Sequence, residues 1–470
     1  MWQRIGFYKP TVMALLWAST ALWGQNMKNA ALPADTVAPL PRSVLQVSSV
    51  TADAVYYSTS LPNNASFEVG PANLSSDLGF GGSVTVDWTK FSERTSFSLS
   101  YTPSYTARWR YSSVDALNHL FTLNLTRKLA PRWTFNVFAG GNLSTYEATL
   151  AAPNPLNGVV ATPATFADFA NGLLAGKFAN NPLLGVALTN PAVTISPVST
   201  LLYGQRIFTA SGGGSLSYSY SPRLTISVTG NGNRTQTISS DQPLNNGVAN
   251  LLPMTLGASG GFNFSYSLSP ISQIGGSVPT TWISSPIIGS YTTTSLVTFG
   301  RTFKRRWVTQ VHGGTGVSSV LHSKFPSLPT QPRPVFGGSL GYKNYSSTLL
   351  GSYDRSTVDG YGLGASTTST SNLAWVWRRP ARSWWLDAGL GWQQLSGGGV
   401  GNISGWHTTL GLNRALSDHA VLRTQYAYLN YSGSNLGIIG EAAYSSSQSA
   451  IEISLSWVPR LAIAVTEPAR

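Results

Sequence analysis

The sequence predicts an all-β fold: a transmembrane antiparallel up-and-down β-barrel of about 18 strands, with about 16 as the alternative. Three observations carry that expectation. Amphipathic strand pairs, with apolar and small polar residues alternating, recur about nine times along the chain. Only 10% of the 470 residues are charged, yet mean hydropathy is +0.00, because Ser, Thr, Asn and 47 Gly supply the polarity. Connections alternate between short turns rich in Arg, Lys, Pro and Trp and longer stretches rich in Gly, Ser, Asn and Pro.

Composition narrows the setting. Ordinary soluble proteins are roughly 25% charged, and a chain this poor in charge is hard to keep dissolved. A membrane barrel needs an apolar outside, a small polar inside and aromatics at the interfaces; 11% of these residues are aromatic, including 15 Trp and 20 Tyr. The chain has no cysteine. That excludes disulfides, thiolate metal sites, catalytic thiols and a cysteine-linked lipid anchor.

In chain order, residues 1–24 read as a secretory signal peptide. Arg4 and Lys9 precede an apolar run, TVMALLWASTAL, with cleavage after Ala21 or Gly24. The run is shorter than the ~20 residues a spanning helix needs, and no other segment approaches one. Strands that cross lipid must then close into a barrel. Residues 25–47 lack alternation and read as a periplasmic leader, 48–458 as the barrel and 459–470 as a periplasmic tail. The first strand, within 48–60, alternates only partly.

From there the pattern firms. Val84, Val86 and Trp88 share one face, and Phe97, Leu99 and Tyr101 answer them across the turn KFSERTS. The clearest hairpin is 123–139, LNLTRKLAPRWTFNVFA. Leu123 and Leu125 alternate with Asn124 and Thr126; after a basic turn, Trp133, Phe135 and Val137 alternate with Thr134 and Asn136. Leu216/Tyr218, Leu224/Ile226/Val228 and Phe262/Phe264/Tyr266 continue the scheme. Further turns are expected at FKRRW, YKNYSS, WRRPARSWW and NRALSDHA. Parity is blurred by Gly and Tyr in 292–301 and 347–355. Strands from Gly82 onward number about seventeen, and the weak first strand makes the count even, as a closed barrel with both ends on one side requires.

The last strand, SQSAIEISLSW at 447–457, sets Ile451, Ile453, Leu455 and Trp457 on one side and Glu452, Ser454 and Ser456 on the other. An amphipathic final strand ending on an aromatic resembles the targeting strand of Gram-negative outer-membrane barrels. The resemblance implies insertion by the barrel-assembly machinery, residence in the bacterial outer membrane and contact with its lipid. In those barrels the aromatic is usually terminal, whereas residues 458–470 follow Trp457 here. Either the signal tolerates an extension or 458–465 is the closing strand; alternation favours the former.

The connection 150–203 is the longest, and long loops in compact units are usually functional. It contains a helical pattern over 165–178, with Phe166, Phe169, Leu173 and Leu174 on one face and Asp168 and Lys177 opposite. Its position and length resemble the third outer loop of general porins, which folds into the barrel and narrows it. Those loops carry an acidic cluster, and this one offers only Asp168. Two readings stand: a constriction involving Phe166, Asp168, Phe169 and Lys177, or a cap on the outer surface.

The net charge is +13, concentrated at short turns: Arg127, Lys128 and Arg132; Lys304, Arg305 and Arg306; Arg378, Arg379 and Arg382. This suits a rim meeting anionic headgroups or an anion-attracting pore. Alternation points Asp87, Arg301, Lys343, Asp387, Arg423 and Glu452 inward, three basic and three acidic, which argues against strong selectivity. Basic residues at turns, not along one face, exclude a nucleic-acid surface. Five histidines lack metal spacing, and no catalytic set assembles, so no cofactor, metal or enzyme activity is expected. The porin-like pattern implies passive diffusion of small hydrophilic solutes. A non-conducting structural or adhesive barrel and an export barrel for a polymer or lipid are the alternatives. A homo-oligomer is compatible with the pattern and left undetermined by it.

Overall fold

The computed structural model describes residues 43–58, 76–110, 115–145, 165–174, 206–238, 254–286, 288–323, 331–358, 366–379, 383–397, 402–434, 444–459 and 462–464. The segment read as a signal peptide lies outside them, as do most of the leader, the tail and the long connections. The strands are β1 (Ser43–Tyr57), β2 (Asp77–Phe91), β3 (Thr95–Arg108), β4 (Ala116–Ala130), β5 (Trp133–Thr145), β6 (Arg206–Ser219), β7 (Leu224–Thr237), β8 (Thr255–Ser269) and β9 (Ser272–Ser284). They continue as β10 (Ile288–Phe303), β11 (Trp307–Ser323), β12 (Gln331–Lys343), β13 (Ser347–Val358), β14 (Ser366–Arg378), β15 (Trp384–Ser396), β16 (Asn402–Ala415), β17 (Ala420–Ser434), β18 (Tyr444–Trp457) and the short β19 (Ala462–Ala464). One helix, α1 (Phe166–Leu174), lies between β5 and β6.

Each strand from β1 to β18 pairs antiparallel with the next, and β18 pairs back onto β1, so the sheet closes into an 18-strand barrel. The seam is the informative place. β18 covers only Val50–Tyr57 of β1. Val44–Gln46 pair instead with β19, from the tail. A bulge lies between Val47 and Ser49, where Ser48 Oγ turns to donate to the Thr85 carbonyl. An open edge at the start of β1 would leave backbone donors and acceptors unpaired, and β19 supplies partners for part of it. Two boundaries therefore shift from the sequence reading. The first strand starts at Ser43, inside the stretch read as leader. The tail contributes three residues to the sheet, while Trp457 still ends the main closing strand.

Alternation assigns the two faces. In β10, Val297 and Phe299 are exposed on the outside, while Thr292, Thr294 and Leu296 are buried on the inside. This settles the blurred parity of 292–301: even positions face in. Tyr353 likewise stands outside and Leu350 inside in β13. The exterior is a belt of exposed large apolar residues, such as Phe80, Val228, Phe262 and Leu410. Aromatic rings pair across strands on it. Trp133 packs on Tyr218 (centroids 4.6 Å apart), Trp307 on Tyr342 (4.7 Å) and Trp377 on Trp384 (5.0 Å), all beside short turns. Trp88 and Trp375 donate their indole N–H groups to Ser43 and Ser347 at 2.8 Å, satisfying the polar end of each ring.

Short turns gather at one end of the barrel, hereafter the short-turn end, and the longer connections at the other. One connection on the long-loop side departs from the alternation: β9 and β10 are joined through residues 285–287 alone. There Ser285 Oγ donates to the Ile288 carbonyl and accepts from the Ile288 amide. At the opposite end, the β10–β11 turn holds Lys304 and Arg305 at φ of 52° and 53°. These are left-handed conformations that favour glycine or asparagine. Relief of that strain outweighs the added unfolded-state freedom of glycine. Arg305→Gly is accordingly expected to stabilise the barrel by about 1 kcal/mol, read as a higher urea midpoint for refolding into lipid vesicles. A lower midpoint would refute it.

Candidate functional site: the lumen and its helix

The only described helix sits inside the barrel. Its sequence, FADFANGLL, places Phe166, Phe169, Ala170, Leu173 and Leu174 on one stripe at helical spacing. That stripe meets an apolar patch on the inner wall. Phe169 (0% exposed), Ala170 and Leu173 (1%) are buried against Val308, Leu350, Ala374 and Val376, with Phe166, Leu174 and Trp385 at the margin. The wall residues come from four strands but form a register row: Val308 pairs with Gly341, Gly341 with Leu350, and Leu350 with Ala374.

Both ends of the helix are tied. Thr165 Oγ1 accepts from the Asp168 amide (3.1 Å) and donates to the Asp168 carboxylate (2.7 Å), a reciprocal N-terminal cap. At the other end the Leu174 carbonyl accepts from Gln273 Nε2 (2.6 Å) and Gln310 Nε2 (3.3 Å), two lumen-facing side chains of β9 and β11. An exposed C-terminal carbonyl is thereby satisfied by the wall itself. The connection carrying α1 leaves β5 and enters β6 at the long-loop end. Yet Val308 is the second residue of β11 and Leu350 the fourth of β13, so the helix lies near the short-turn end.

Glycine makes the seat. A Cβ at Gly341 would stand 2.6 Å from Phe169 Cε1 and 2.9 Å from Leu173 Cδ1, and one at Gly300 would overlap Leu174. The helix settles among the apolar wall side chains because Gly341 and Gly300 leave it room.

Elsewhere the inner wall mixes polar groups with a few buried apolar ones, among them the cluster of Val55, Tyr57 and Ala450. Asp387 accepts from Asn413 Nδ2 (2.5 Å) and pairs with Arg423 Nη2 (3.1 Å). Glu452 and Asp53 flank this group: Asp53 and Arg423 both pair in register with Ser454, and Glu452 pairs with Gln425. His312 Nε2 lies 2.9 Å from Asp354 Oδ1, both side chains nearly buried. Nearer the long-loop end, Arg108 and Asp77 form a buried pair (3.8 Å), and the Arg108 guanidinium lies 3.6 Å over the Tyr57 ring. This group joins β1, β2 and β3 beside the seam.

The structure places the sequence-derived residues as follows. Asp87, Lys343, Asp387, Arg423 and Glu452 stand on inward positions; Lys343 Nζ reaches Thr348 Oγ1 at 3.2 Å. Arg301 does not. It shares the outward face of Val297 and Phe299 and pairs with Thr309 and Ser272. The Thr-rich run before it hid the parity. Phe166 and Phe169 meet the wall, Asp168 is exposed at the helix start, and Lys177 lies outside the described residues. Ile451, Ile453, Leu455 and Trp457 are exposed on the outer face of β18. Asp53, His312, Asp354, Gln273 and Gln310 were not singled out from sequence. Each gains its role from a partner on another strand, and no local signal reports such a partner. Among the described residues no group of His, Asp and Glu could hold a metal ion.

No family model matches the chain, and no curated protein matches it. Solved structures with a similar course include Pseudomonas aeruginosa OccK9 (OpdG), at 11% identity and a TM-score of 0.42, covering 88% of this chain and 98% of that one. A BenF-like porin from Pseudomonas fluorescens Pf-5 matches at 8% identity and 0.43, covering 88% and 99%. Pseudomonas aeruginosa OccK2 (OpdF) in complex with glucuronate matches at 9% and 0.43, covering 88% and 98%. Nothing in the functional reading rests on these likenesses.

The seat of α1 is testable because the chain has no cysteine. Burying Phe169 and Leu173 contributes roughly 3–6 kcal/mol to docking, and a β-branched side chain at Gly341 removes the space for both. Ala170→Cys is expected to resist a membrane-impermeant thiol reagent, and to react once Gly341→Val is added. Continued resistance in the double variant would show that the helix is held elsewhere.

Proposed function

We propose that this chain is an integral outer-membrane channel, through which small hydrophilic solutes diffuse past α1. One observation carries the reading: a capped helix is docked on an apolar patch of an inner wall that carries many polar and charged side chains. Such a helix narrows the passage, because it meets the wall from β9 to β15. A wall of hydroxyls, amides and paired charges replaces part of a solute's hydration as it enters. The apolar exterior with its cross-strand aromatics suits lipid and its interfaces. The short-turn end would face the periplasm, its basic turns meeting anionic headgroups. The apolar outer face of β18, ending at Trp457, suits recognition by the barrel-assembly machinery, and residues 1–24 would direct export.

The inward charges do not support an anion filter. With Arg301 turned outward, the sequence-derived set is Asp87, Asp387 and Glu452 against Lys343 and Arg423, and Asp387 is already paired with Arg423. Asp53 adds another acid. The excess basic charge belongs to the rim.

The purified barrel is expected to give a steady conductance in planar bilayers, and Phe169→Ala to make it larger or unstable by freeing the helix. That substitution costs about 3–5 kcal/mol of docking. Silence from verifiably inserted protein would sink the channel reading in favour of a structural or export barrel. In a salt gradient the reversal potential should not take the anion-selective sign; a clear anion preference would contradict the wall assignment.

A further inference from the structure

Several lumen-facing glycines share an arrangement that the channel reading does not use. On β12, Gly337 stands between His312 of β11 and Asp354 of β13 in one register row. The imidazole lies across the glycine to reach the carboxylate at 2.9 Å, and a Cβ on Gly337 would meet the Tyr353 carbonyl oxygen at 2.5 Å and His312 Cε1 at 2.7 Å. On β15, Gly391 stands between Asn372 and His407; a Cβ there would overlap the His407 ring and come within 2.8 Å of Asn372 Oδ1. On β16, Gly411 lies beneath the Asp387 carboxylate, 2.6 Å from a Cβ, as that group reaches for Arg423 two strands away. Gly81 does the same for Asp53, with a Cβ 2.6 Å from Oδ2, on the path toward Thr106.

We propose that these glycines set the bore of the channel. Each lets a polar side chain from the neighbouring strand lie flat along the wall instead of standing into the lumen. The sheet itself blocks the outward direction. A side chain displaced from above its glycine therefore turns toward the axis. His312 is four residues beyond Val308 along β11, roughly 13 Å above the floor where α1 docks. Asp387 pairs in register with Val376, which α1 touches. The flattened residues thus line the path both at the helix and above it.

The clash expected on adding a methyl group is with the far end of a side chain at Gly81, Gly391 and Gly411, so the barrel can still form; at Gly337 the Cβ would also meet the Tyr353 backbone carbonyl oxygen at 2.5 Å. Gly314 makes the contrast, because a Cβ there would overlap the Ser295 backbone carbonyl itself. Bore and stability are therefore separable: Gly81→Ala, Gly391→Ala and Gly411→Ala should fold, whereas Gly314→Ala should fold poorly.

The inference rests on the channel reading, and the experiment separates the two. The triple variant Gly81→Ala/Gly391→Ala/Gly411→Ala, checked for native heat-modifiable mobility, is expected to lose about half its single-channel conductance. Adding His407→Ala to Gly391→Ala should restore what Gly391→Ala alone removes, because the displaced ring is gone; a merely structural defect would not be rescued. Unchanged conductance in the glycine variants, or a loss that His407→Ala does not rescue, overturns the proposal. A second readout needs no current. Ser339→Cys, on an inward position of β12, is labelled with thiol reagents of graded size. Gly391→Ala is expected to lower the largest size that reacts, in a conducting or a silent barrel alike. A silent wild type with an unchanged size limit removes both readings, and a silent wild type with a lowered limit removes only the channel.

Discussion

The whole structure depends on backbone hydrogen bonding across a closed sheet. A strand surrounded by lipid has no water to satisfy its N–H and C=O groups, so each must find them in its neighbours. Eighteen strands meet that demand around the circumference, and the seam shows how strictly it applies. β18 runs out along β1 at Val50, and three residues beyond Trp457 return as β19 to pair with Val44–Gln46. The intervening bulge turns Ser48 to a side-chain bond with the next strand. A tail that looks dispensable by its poor alternation is used because it supplies backbone, for which side-chain pattern is irrelevant.

Closure then turns a two-residue period into a division of labour. The outward face is mostly apolar or aromatic, and polar groups facing in are largely satisfied by their own neighbours. The inner wall does this by reaching across strands: His312 to Asp354, Asp387 to Asn413 and Arg423, Gln273 and Gln310 to the end of α1. Glycine permits the reach, both for the flattened polar groups and for the seat of Phe169 and Leu173. The apolar patch beneath the helix follows the same logic. Val308, Leu350 and Ala374 face in, where the pattern would place polar groups, and each is covered by a helix that needs an apolar partner.

Much of this was legible in the chain. Strand number, turn positions and the pairing of Leu123–Leu125 with the strand after Trp133 all follow from alternation, which is local and repeated. Legibility failed where alternation did. In 292–301 Thr and Gly look alike on both faces, so Arg301 was turned inward when the register turns it outward. The weak start of β1 and the short β19 were misjudged because their pairing, not their side chains, makes them strands. The wall contacts of α1 are illegible for a further reason: its partners lie 99 or more residues downstream.

The sequence by itself determined the class of fold, the division into apolar and polar faces, the clustering of basic charge at the turns and the helical stripe of Phe166, Phe169 and Leu173. These are properties of residue spacing, and spacing is covalent. Only the tertiary structure decided the rest: that the helix is docked inside and near the short-turn end, that Asp387 is paired with Arg423, and that glycines three strands apart lie beneath His312 and His407. Those depend on register, and register arises only when a sheet of this length closes and each strand's offset is set by all the others.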